Sequence, residues 1–325
     1  MIARKILVLA CAALAPLLGP AARAEPAGFN SNQMQSCDRA CLSGVVDQYL
    51  EALVRKDPSR LPWAKHVLFT ENNVQLAIGD GLWGTISGKR AYDLRSLDPA
   101  SGQAGWIGVI EEHGVPGIMA LRLRVSDGKI SEVETVLSRR VDNGPFPVVD
   151  GLKTPPPIFS AIVPPARRSP RERLISIVDG YFDTLQLNDG TLFTQFADSC
   201  ERTENGLRTT HNPGAIPGYD IAALGCADQF RKGQYVYDDR LRDRRYPLVD
   251  EERGLVLAAG FIDHSGRKVD VTWTDGTKAK SVFFYPHSFV LLELFKVEDG
   301  KIAQVEAVFT TVPYNMPSPW VANSK

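Results

Sequence analysis

The chain lacks an apolar run long enough to span a bilayer, and its longest apolar run lies at the start. Arg4 and Lys5 form a basic beginning, residues 6–18 are mostly apolar, and Ala22-Arg23-Ala24 has the small-x-small pattern of a cleavage site. A membrane helix needs about 20 apolar residues. The pattern is instead typical of a secretory signal peptide. We predict a signal peptide over residues 1–24, cleaved near Ala24, and a periplasmic or secreted protein without a membrane anchor.

An excess of charge and the short motifs of several common enzyme classes are also missing. The formal net charge is −1, which gives no electrostatic case for binding nucleic acid or an anionic membrane. No G-x-S-x-G, P-loop, dinucleotide or H-E-x-x-H pattern occurs. These absences argue against the common hydrolase, nucleotide-binding and zinc-protease classes, and no metal site is predicted.

Cysteine is scarce, and the few cysteines suggest disulfides. Cys11 lies too early in the apolar run for a lipoprotein cysteine, which leaves four in an oxidising compartment. Cys200 and Cys226 lie close to a segment that only the second half contains, and we predict that they form one bond. Cys37 and Cys41 share one face of a predicted helix, at a spacing that suits a second bond. A C-x3-C metal site is the alternative, although no histidine lies at ligand spacing nearby.

Internal repetition is the main feature of the sequence. Three landmarks recur in the same order: DQYLEALVRK (47–56) with DGYFDTLQLN (179–188), Thr-Glu-Asn (70–72) with Thr-Glu-Asn (203–205), and DGKISEVETV (127–136) with DGKIAQVEAV (299–308). Such a series predicts two copies of one domain. The offset between the copies grows from 132 residues at the first landmark to 172 at the last. The second copy therefore carries an insertion.

Each copy is predicted to begin with a helix and to continue with antiparallel strands. Apolar positions recur at helical spacing from residue 37 to 55, and Ser169-Pro170 provides a helix start for the second copy. Alternating segments separated by glycine turns predict the strands. The proline-rich stretch between the copies predicts an extended linker. The predicted domains are 25–142 and 170–325, joined by a linker at 143–169.

A helix followed by a curved sheet resembles the nuclear-transport-factor-like superfamily, which includes SnoaL-like polyketide cyclases, scytalone dehydratases and ketosteroid isomerases. The closing DGKI-x-x-VE of both copies is similar to the final hairpin of those domains. The second half is also similar to an exported family, mostly without assigned function, in five segments: CERTENG (200–206), GCADQF (225–230), RLRDRRYPLVDEERGLV (240–256), LLELFKVEDGKI (291–302) and VPYNMPSPW (312–320).

The resemblance implies an α+β fold of two tandem cone-shaped domains, each an N-terminal helix packed on a curved antiparallel sheet. It also implies acid/base chemistry in a mostly apolar pocket, without metal or organic cofactor. The two copies could pack sheet against sheet as an intramolecular pseudo-dimer, or the chain could form a homodimer; the sequence leaves both arrangements open.

Glu293 is the strongest catalytic candidate. Strand alternation places it on one face with Phe289, Leu291 and Phe295, whereas the first copy has Leu121 at the equivalent position. A carboxyl group in an apolar pocket has a raised pKa and becomes a usable acid or base near neutral pH. The structural alternative is an ion pair inside the fold, for example with an arginine from residues 240–245.

A second group of candidates surrounds the recurring Glu-Asn pair of the second copy. Asp198, Arg202, Glu204 and His211 could form a polar wall, in which a carboxylate orients His211 as a general base. The alternatives are a turn at Asn205 and a surface position for His211. The predicted ligand-binding residues are Arg202, Asn205, Tyr219, Phe289 and Phe295.

The remaining acids and histidines are interpreted structurally. Glu134 and Glu306 occupy matching positions in the last strand of each copy, which favours a role in the fold or in packing of the copies. His113 and His264 both precede a glycine and are predicted to lie in turns, and His287 has no predicted role.

These observations favour an exported, cofactor-independent lyase or isomerase-type enzyme. It would act by general acid/base chemistry on a small apolar or aromatic oxygenated compound, with Glu293, His211, Glu204 and Asp198 as catalytic candidates. The alternative is a non-catalytic periplasmic protein that binds a small molecule or serves as an accessory interaction partner. The sequence identifies neither the substrate nor whether the first domain is active.

Overall fold

A computed structural model describes residues 37–140, 148–215 and 220–321 of the chain. The predicted signal peptide, part of the predicted linker and Tyr219 lie outside the described residues. No helix within the described ranges is long and apolar enough to cross a membrane.

The first half consists of a helix packed on a six-stranded sheet. Asp38 caps the helix, because its side chain accepts a hydrogen bond from the backbone N–H of Cys41. The sheet has the strand order β2-β1-β6-β5-β4-β3, and only the β1–β6 pair is parallel. The elements are α1 (Arg39–Val54), β1 (Trp63–Glu71), β2 (Val74–Gln75), α2 (Leu82–Thr85), β3 (Ile86–Asp98), β4 (Gln103–Glu112), β5 (Val115–Ser126) and β6 (Lys129–Ser138).

The second half repeats this architecture. Its main sheet has the order β8-β7-β14-β13-β10-β9, which matches the first sheet strand for strand and includes one parallel pair, β7–β14. The predicted fold class, two tandem α+β domains with a helix on a curved and mostly antiparallel sheet, is confirmed. The elements are α3 (Arg171–Leu187), β7 (Phe196–Glu204), β8 (Leu207–Arg208), α4 (Cys226–Arg231), β9 (Arg240–Asp250), β10 (Leu255–His264), β11 (Asp270–Thr272), β12 (Lys278–Lys280), β13 (His287–Glu298) and β14 (Lys301–Val312).

The additional residues of the second half form two insertions that pack on each other. One lies between β8 and β9 and contains α4, and the other lies between β10 and β13 and contains the β11–β12 hairpin. The backbone N–H of Thr274 in the hairpin insertion donates to the carbonyl of Lys232, 3.1 Å away, just after α4. The Lys232 ammonium also lies 4.7 Å from the ring centre of Trp273. The two insertions therefore form one joint covering of the second domain.

Apolar side chains form three cores rather than two. One core lies between each helix and the inner face of its own sheet. A third core lies between the outer faces of the two sheets, and it combines Ile107, Ile118 and Val136 of the first half with Leu257, Leu292 and Val308 of the second. The two copies thus pack sheet against sheet within the chain, which is the arrangement of an intramolecular pseudo-dimer.

Two equivalent ion pairs bind the copies to each other. Arg39 of α1 contacts Asp250 at the end of β9, with 2.8 Å between Nη1 and Oδ2. Arg171, the equivalent residue of α3, contacts Asp98 at the end of β3, with 2.7 Å between Nη2 and Oδ2. Such a reciprocal pattern is the signature of a two-fold interface. The packing therefore relates the copies by an approximate two-fold axis.

Glu134 and Glu306 both lie in this interface, as predicted, but in different environments. Glu134 is ion-paired with Arg122 of its own half at 2.8 Å, and also with Arg245 of the other half. Both oxygens of Glu306 are buried without a hydrogen-bond partner, and Tyr92 lies beside it without a well-formed bond. Burial raises the pKa of Glu306 to about 8. Glu306 is therefore mostly protonated at neutral pH.

This environment predicts a pH-dependent effect of Glu306→Gln on stability. A carboxyl whose pKa is higher in the folded than in the unfolded state weakens folding as the pH rises from about 4.5 to about 8. Glutamine does not ionise, so the variant should gain melting temperature relative to the wild type, and the gain should grow between pH 5 and pH 9. Thermal unfolding at several pH values measures this.

The control is Glu134→Gln, at the matching position. It removes an ion-pair partner from two arginines and should lower the melting temperature throughout the same pH range. A difference between Glu306→Gln and wild type that stays constant with pH would contradict the assignment.

Candidate functional site

Glu293 lies inside the second domain, on the inner face of its sheet. The residue is 4% exposed and pairs across the sheet with Ala258 of β10 and Ala307 of β14, both small. Its neighbours on the same face, Leu291 and Phe295, belong to the core between α3 and the sheet. The carboxyl group therefore stands in an apolar interior.

The nearest polar partner of Glu293 is Tyr181 of α3. The Tyr181 hydroxyl donates to Oε1 of Glu293 over 3.3 Å. Burial raises the pKa of Glu293 to about 8, although the nearby positive charge of Arg202 acts in the opposite direction. Glu293 is thus a neutral acid at pH 7 and a base at slightly alkaline pH.

The predicted alternative, an ion pair between Glu293 and an arginine of residues 240–245, is wrong. Those four arginines point to other acids because β9 is an edge strand next to β10 and faces the helix and the other half. Their partners are Asp263 for Arg240 and Arg242, Asp179 and Asp183 for Arg244, and Glu134 for Arg245.

Arg202 of β7 is a second buried ionisable group in the same interior. It is 3% exposed, and its Nη1 lies 2.9 Å from Oε1 of Gln229 and 2.5 Å from the hydroxyl of Tyr235. Its Nη2 is hydrogen-bonded to Glu204. Its Nε is buried without a hydrogen-bond partner. Buried donors normally have partners, so this N–H is an available donor for an oxygen atom.

The first domain shows how specific this arrangement is. The repeated helix segments align Tyr49 with Tyr181. The shared strand registers align Phe69 with Arg202 and Leu121 with Glu293. The first domain keeps an apolar interior at all but the tyrosine position. The second domain therefore has an arginine and a glutamate at positions where the first domain has two apolar side chains, Arg202 in place of Phe69 and Glu293 in place of Leu121. The arginine replacement was detectable in the sequence, since Arg202 stands directly before the shared Thr-Glu-Asn.

The residues of the predicted polar wall lie in two separate places. Arg202 and Glu204 contact each other inside the domain, whereas Asp198 and His211 line an outer cleft of about 500 Å³. His211 Nδ1 lies 3.0 Å from Oε1 of Glu201, so its orienting carboxylate is Glu201. His211 lines this cleft together with Cys226, and Glu293 is not among the residues of the cleft lining.

Asn205 has the local environment of a turn residue. Its φ angle is 49°, and its side chain exchanges two hydrogen bonds of 3.0 Å with the backbone of Phe309. Asn72 in the first domain has a φ angle of 47°, and its Oδ1 accepts a hydrogen bond of 2.8 Å from the backbone N–H of Leu137. The side chain thus holds β14, which supports the turn alternative for this position.

The two predicted aromatic ligand-binding residues lie at different ends of the inner face. Phe295 packs edge-on against Tyr181, with ring centres 4.9 Å apart, beside Glu293. Phe289 lies toward the hairpin insertion and packs against His264, with ring centres 4.9 Å apart. Of these two phenylalanines, only Phe295 therefore lies beside Glu293.

His264 is not a turn residue, and this prediction is wrong. The hairpin insertion replaces the short turn that holds His113 in the first domain, so His264 remains in β10 and is 2% exposed. Its Nε2 lies 2.9 Å from Oδ1 of Asp238, and its ring stacks on His287 with centres 4.6 Å apart. Sequence reasoning missed this cluster because its members are distant in the chain.

The burial of His287 predicts a loss of stability in acid. Burial lowers the pKa of His287 below its ordinary value of 6.5. A base with a lowered pKa stabilises the fold fully above about pH 6.5, and this contribution is lost as the pH falls below that value. His287→Phe should therefore reduce the difference in unfolding free energy between pH 7 and pH 5, as measured by chemical denaturation.

The exposed His66 provides the matched control. His66→Phe should leave the difference between pH 7 and pH 5 as it is in the wild type. An equal difference between pH 7 and pH 5 for wild type and His287→Phe would show that His287 does not titrate as proposed.

Both predicted disulfide bonds are present. Cys37 and Cys41 are bonded with a Cα–Cα distance of 5.2 Å, so the pair is a disulfide rather than the alternative metal site. Cys200 of β7 and Cys226 at the start of α4 are bonded with a Cα–Cα distance of 5.8 Å. The second bond attaches the first insertion to the sheet. Among the described residues, no three His, Cys, Asp or Glu side chains are grouped to hold a metal ion.

One part of the chain matches a known family of domains. Residues 167–309 match a family described as a domain of unknown function (DUF8021). This region covers the second domain up to β14. No curated protein matches the chain.

Two solved structures are similar to parts of the chain. One is described as "Putative Isomerase from Bacillus subtilis"; it has 12% sequence identity and a TM-score of 0.28, with 43% of this chain and 87% of that one covered. The other is described as a "putative ketosteroid isomerase from Kribbella flavida DSM 17836"; it has 18% identity and a TM-score of 0.26, with 47% of this chain and 91% of that one covered. At these TM-scores the likeness says nothing about the reaction, and the fold assignment rests on the topology.

Proposed function

We propose that the protein is an exported, cofactor-independent enzyme of the lyase or isomerase type, whose site is the interior of the second domain. Its substrate is a small, largely apolar or aromatic compound that carries oxygen. The observation that supports this proposal is the joint replacement of Phe69 and Leu121 of the first domain by Arg202 and Glu293. Burying two ionisable groups in one apolar interior costs folding free energy. Their presence therefore favours a role other than stability.

Glu293, Arg202 and Tyr181 together suit proton transfer next to a carbonyl group. Ionised Glu293 removes a proton from the carbon atom beside the carbonyl. The negative charge that develops on the carbonyl oxygen is stabilised by the positive charge of Arg202 and by donors such as the Tyr181 hydroxyl. Glu293 then returns the proton to a different carbon in an isomerisation, or to a departing hydroxyl group, which leaves as water, in an elimination.

The raised pKa of Glu293 supports this role. General acids and bases work best when their pKa lies near the working pH. Burial brings the pKa of Glu293 to about 8, so both protonation states are populated in neutral and mildly alkaline solution. Burial also raises the pKa of Tyr181 well above its ordinary value, which keeps its hydroxyl protonated as a donor.

The first test does not require the natural substrate. Acetophenone and other small aryl or cyclic ketones are incubated with the protein in D₂O, and exchange of their α-protons is followed by NMR. The wild type should accelerate exchange with at least one ketone, and Glu293→Gln should slow it by a factor of about 100 or more.

Glu306→Gln is the matched control for this test. Glu306 is also a buried carboxyl group with a pKa near 8, but it lies on the opposite face of the sheet. The control should retain the wild-type exchange rate. Equal rates for folded Glu293→Gln and wild type would remove Glu293 from the mechanism.

The pH dependence gives a second test of the same role. Exchange needs the ionised form of Glu293, so its rate should rise with pH and level off above about pH 8. The rise should be missing from any residual exchange by Glu293→Gln. A wild-type rate that is flat between pH 6 and pH 9 would assign the base to another group.

A non-catalytic binding protein remains the second candidate function. The observation that favours it is the close packing of aromatic rings around Tyr181, where Phe196, Phe230 and Phe295 all have ring centres within 6.2 Å. A protein that binds ketones without exchanging their α-protons would support this candidate.

A further inference from the structure

One aromatic side chain, Phe196, belongs both to the lining of the outer cleft and to the core of the second domain. Phe196 and Cys226 line the cleft, and both also belong to the core that contains Glu293's neighbours. Behind Phe196 lies Tyr181, with ring centres 6.2 Å apart, and the Tyr181 hydroxyl is hydrogen-bonded to Glu293. Phe196 and then Tyr181 therefore stand between a cleft of about 500 Å³ and Glu293.

The way Phe196 is packed is unusual within its surroundings. Its ring lies nearly flat on Phe230, with centres 5.4 Å apart and planes inclined by 22°. The rings that touch Tyr181 instead meet it at 61° to 86°. Phe196 thus occupies a flat slot whose floor is Phe230.

In the first domain, the residue equivalent to Phe196 is held in place by a hydrogen bond. The strand registers align Phe196 with Trp63, whose indole N–H donates to the carbonyl of Pro58 over 2.8 Å. A phenylalanine ring has no such donor and is held by packing alone. In addition, Phe230 belongs to α4 in an insertion that the first domain lacks. The slot is therefore a feature of the second domain only.

We propose that Phe196 is a movable partition, and that the ligand of the second domain is a neutral, planar aromatic compound that takes its place against Phe230. This inference rests on the proposed function for what happens to the ligand after binding. When the Phe196 side chain turns into the cleft, the vacated slot connects the cleft to the interior. The apolar ring of the ligand then lies on Phe230.

The charges and donors along this path determine the rest of the ligand. The rim of the cleft carries Asp198 and Asp228 together with Arg231 and Lys301, so its charges balance and favour a neutral molecule. The inner end of the slot is polar, because Arg202 lies 5.3 Å from the ring centre of Phe230 and 5.7 Å from that of Tyr181. A single ring with one carbonyl or hydroxyl oxygen at its inner end suits both ends of the slot.

The test is direct binding of 4-fluoroacetophenone, followed by ¹⁹F NMR titration. Phe196→Ala removes the partition and should bind this probe at least ten times more tightly than the wild type. Phe69→Ala, an equal truncation in the core of the first domain, is the control and should bind like the wild type. Equal affinity for wild type and Phe196→Ala, or an equal gain in Phe69→Ala, would overturn the proposal.

Two further variants keep the test decisive. If Phe196→Ala does not fold, Phe196→Leu removes the flat ring while it retains an apolar side chain, and a smaller gain is expected. Phe196→Trp enlarges the partition and should weaken binding below the wild-type level; unchanged or tighter binding would count against the partition.

The outcome is separable from the exchange test. Tighter binding by Phe196→Ala without any α-proton exchange in the wild type would overturn the proposed function alone. Exchange that depends on Glu293, combined with equal binding by wild type and Phe196→Ala, would overturn the partition alone.

Discussion

The packing of the two sheets against each other is the constraint on which the rest of the structure depends. Each sheet has an apolar outer face that would be exposed without the other copy. The reciprocal ion pairs, Arg39 with Asp250 and Arg171 with Asp98, fix the relative orientation of the copies. Asp98 is only 2% exposed, so loss of Arg171 would leave its buried charge without an arginine partner. The outer face of each sheet thus has the same structural role in both copies, which is to pack against the other sheet.

The inner faces are under no such shared constraint, and there the copies differ. The first domain fills its interior with apolar side chains around Tyr49. The second keeps the equivalent tyrosine and adds Glu293 and Arg202. Two insertions cover this domain, and a disulfide bond attaches the insertion that contains α4 to the sheet. The two copies thus share the interface and differ in their interiors.

The repeat made most of the fold predictable from the sequence. Matching landmarks established two domains, and strand alternation placed Glu293 on the inner face, where its contrast with Leu121 identified it. The environment of Arg202 could have been inferred in the same way from Phe69. The cluster of Asp238, His264 and His287 could not, because a 22-residue insertion separates the two histidines and only folding stacks their rings. The flat contact of Phe196 with Phe230 is likewise a tertiary feature that no local pattern encodes.

The location of the two-fold interface within one chain also affects how the protein responds to dilution. Two separate subunits joined by such sheets would dissociate when their concentration falls below the dissociation constant. Here the partner of each outer face is permanently supplied by the same polypeptide, so the interface forms in a unimolecular step. The halves would therefore stay together at any protein concentration.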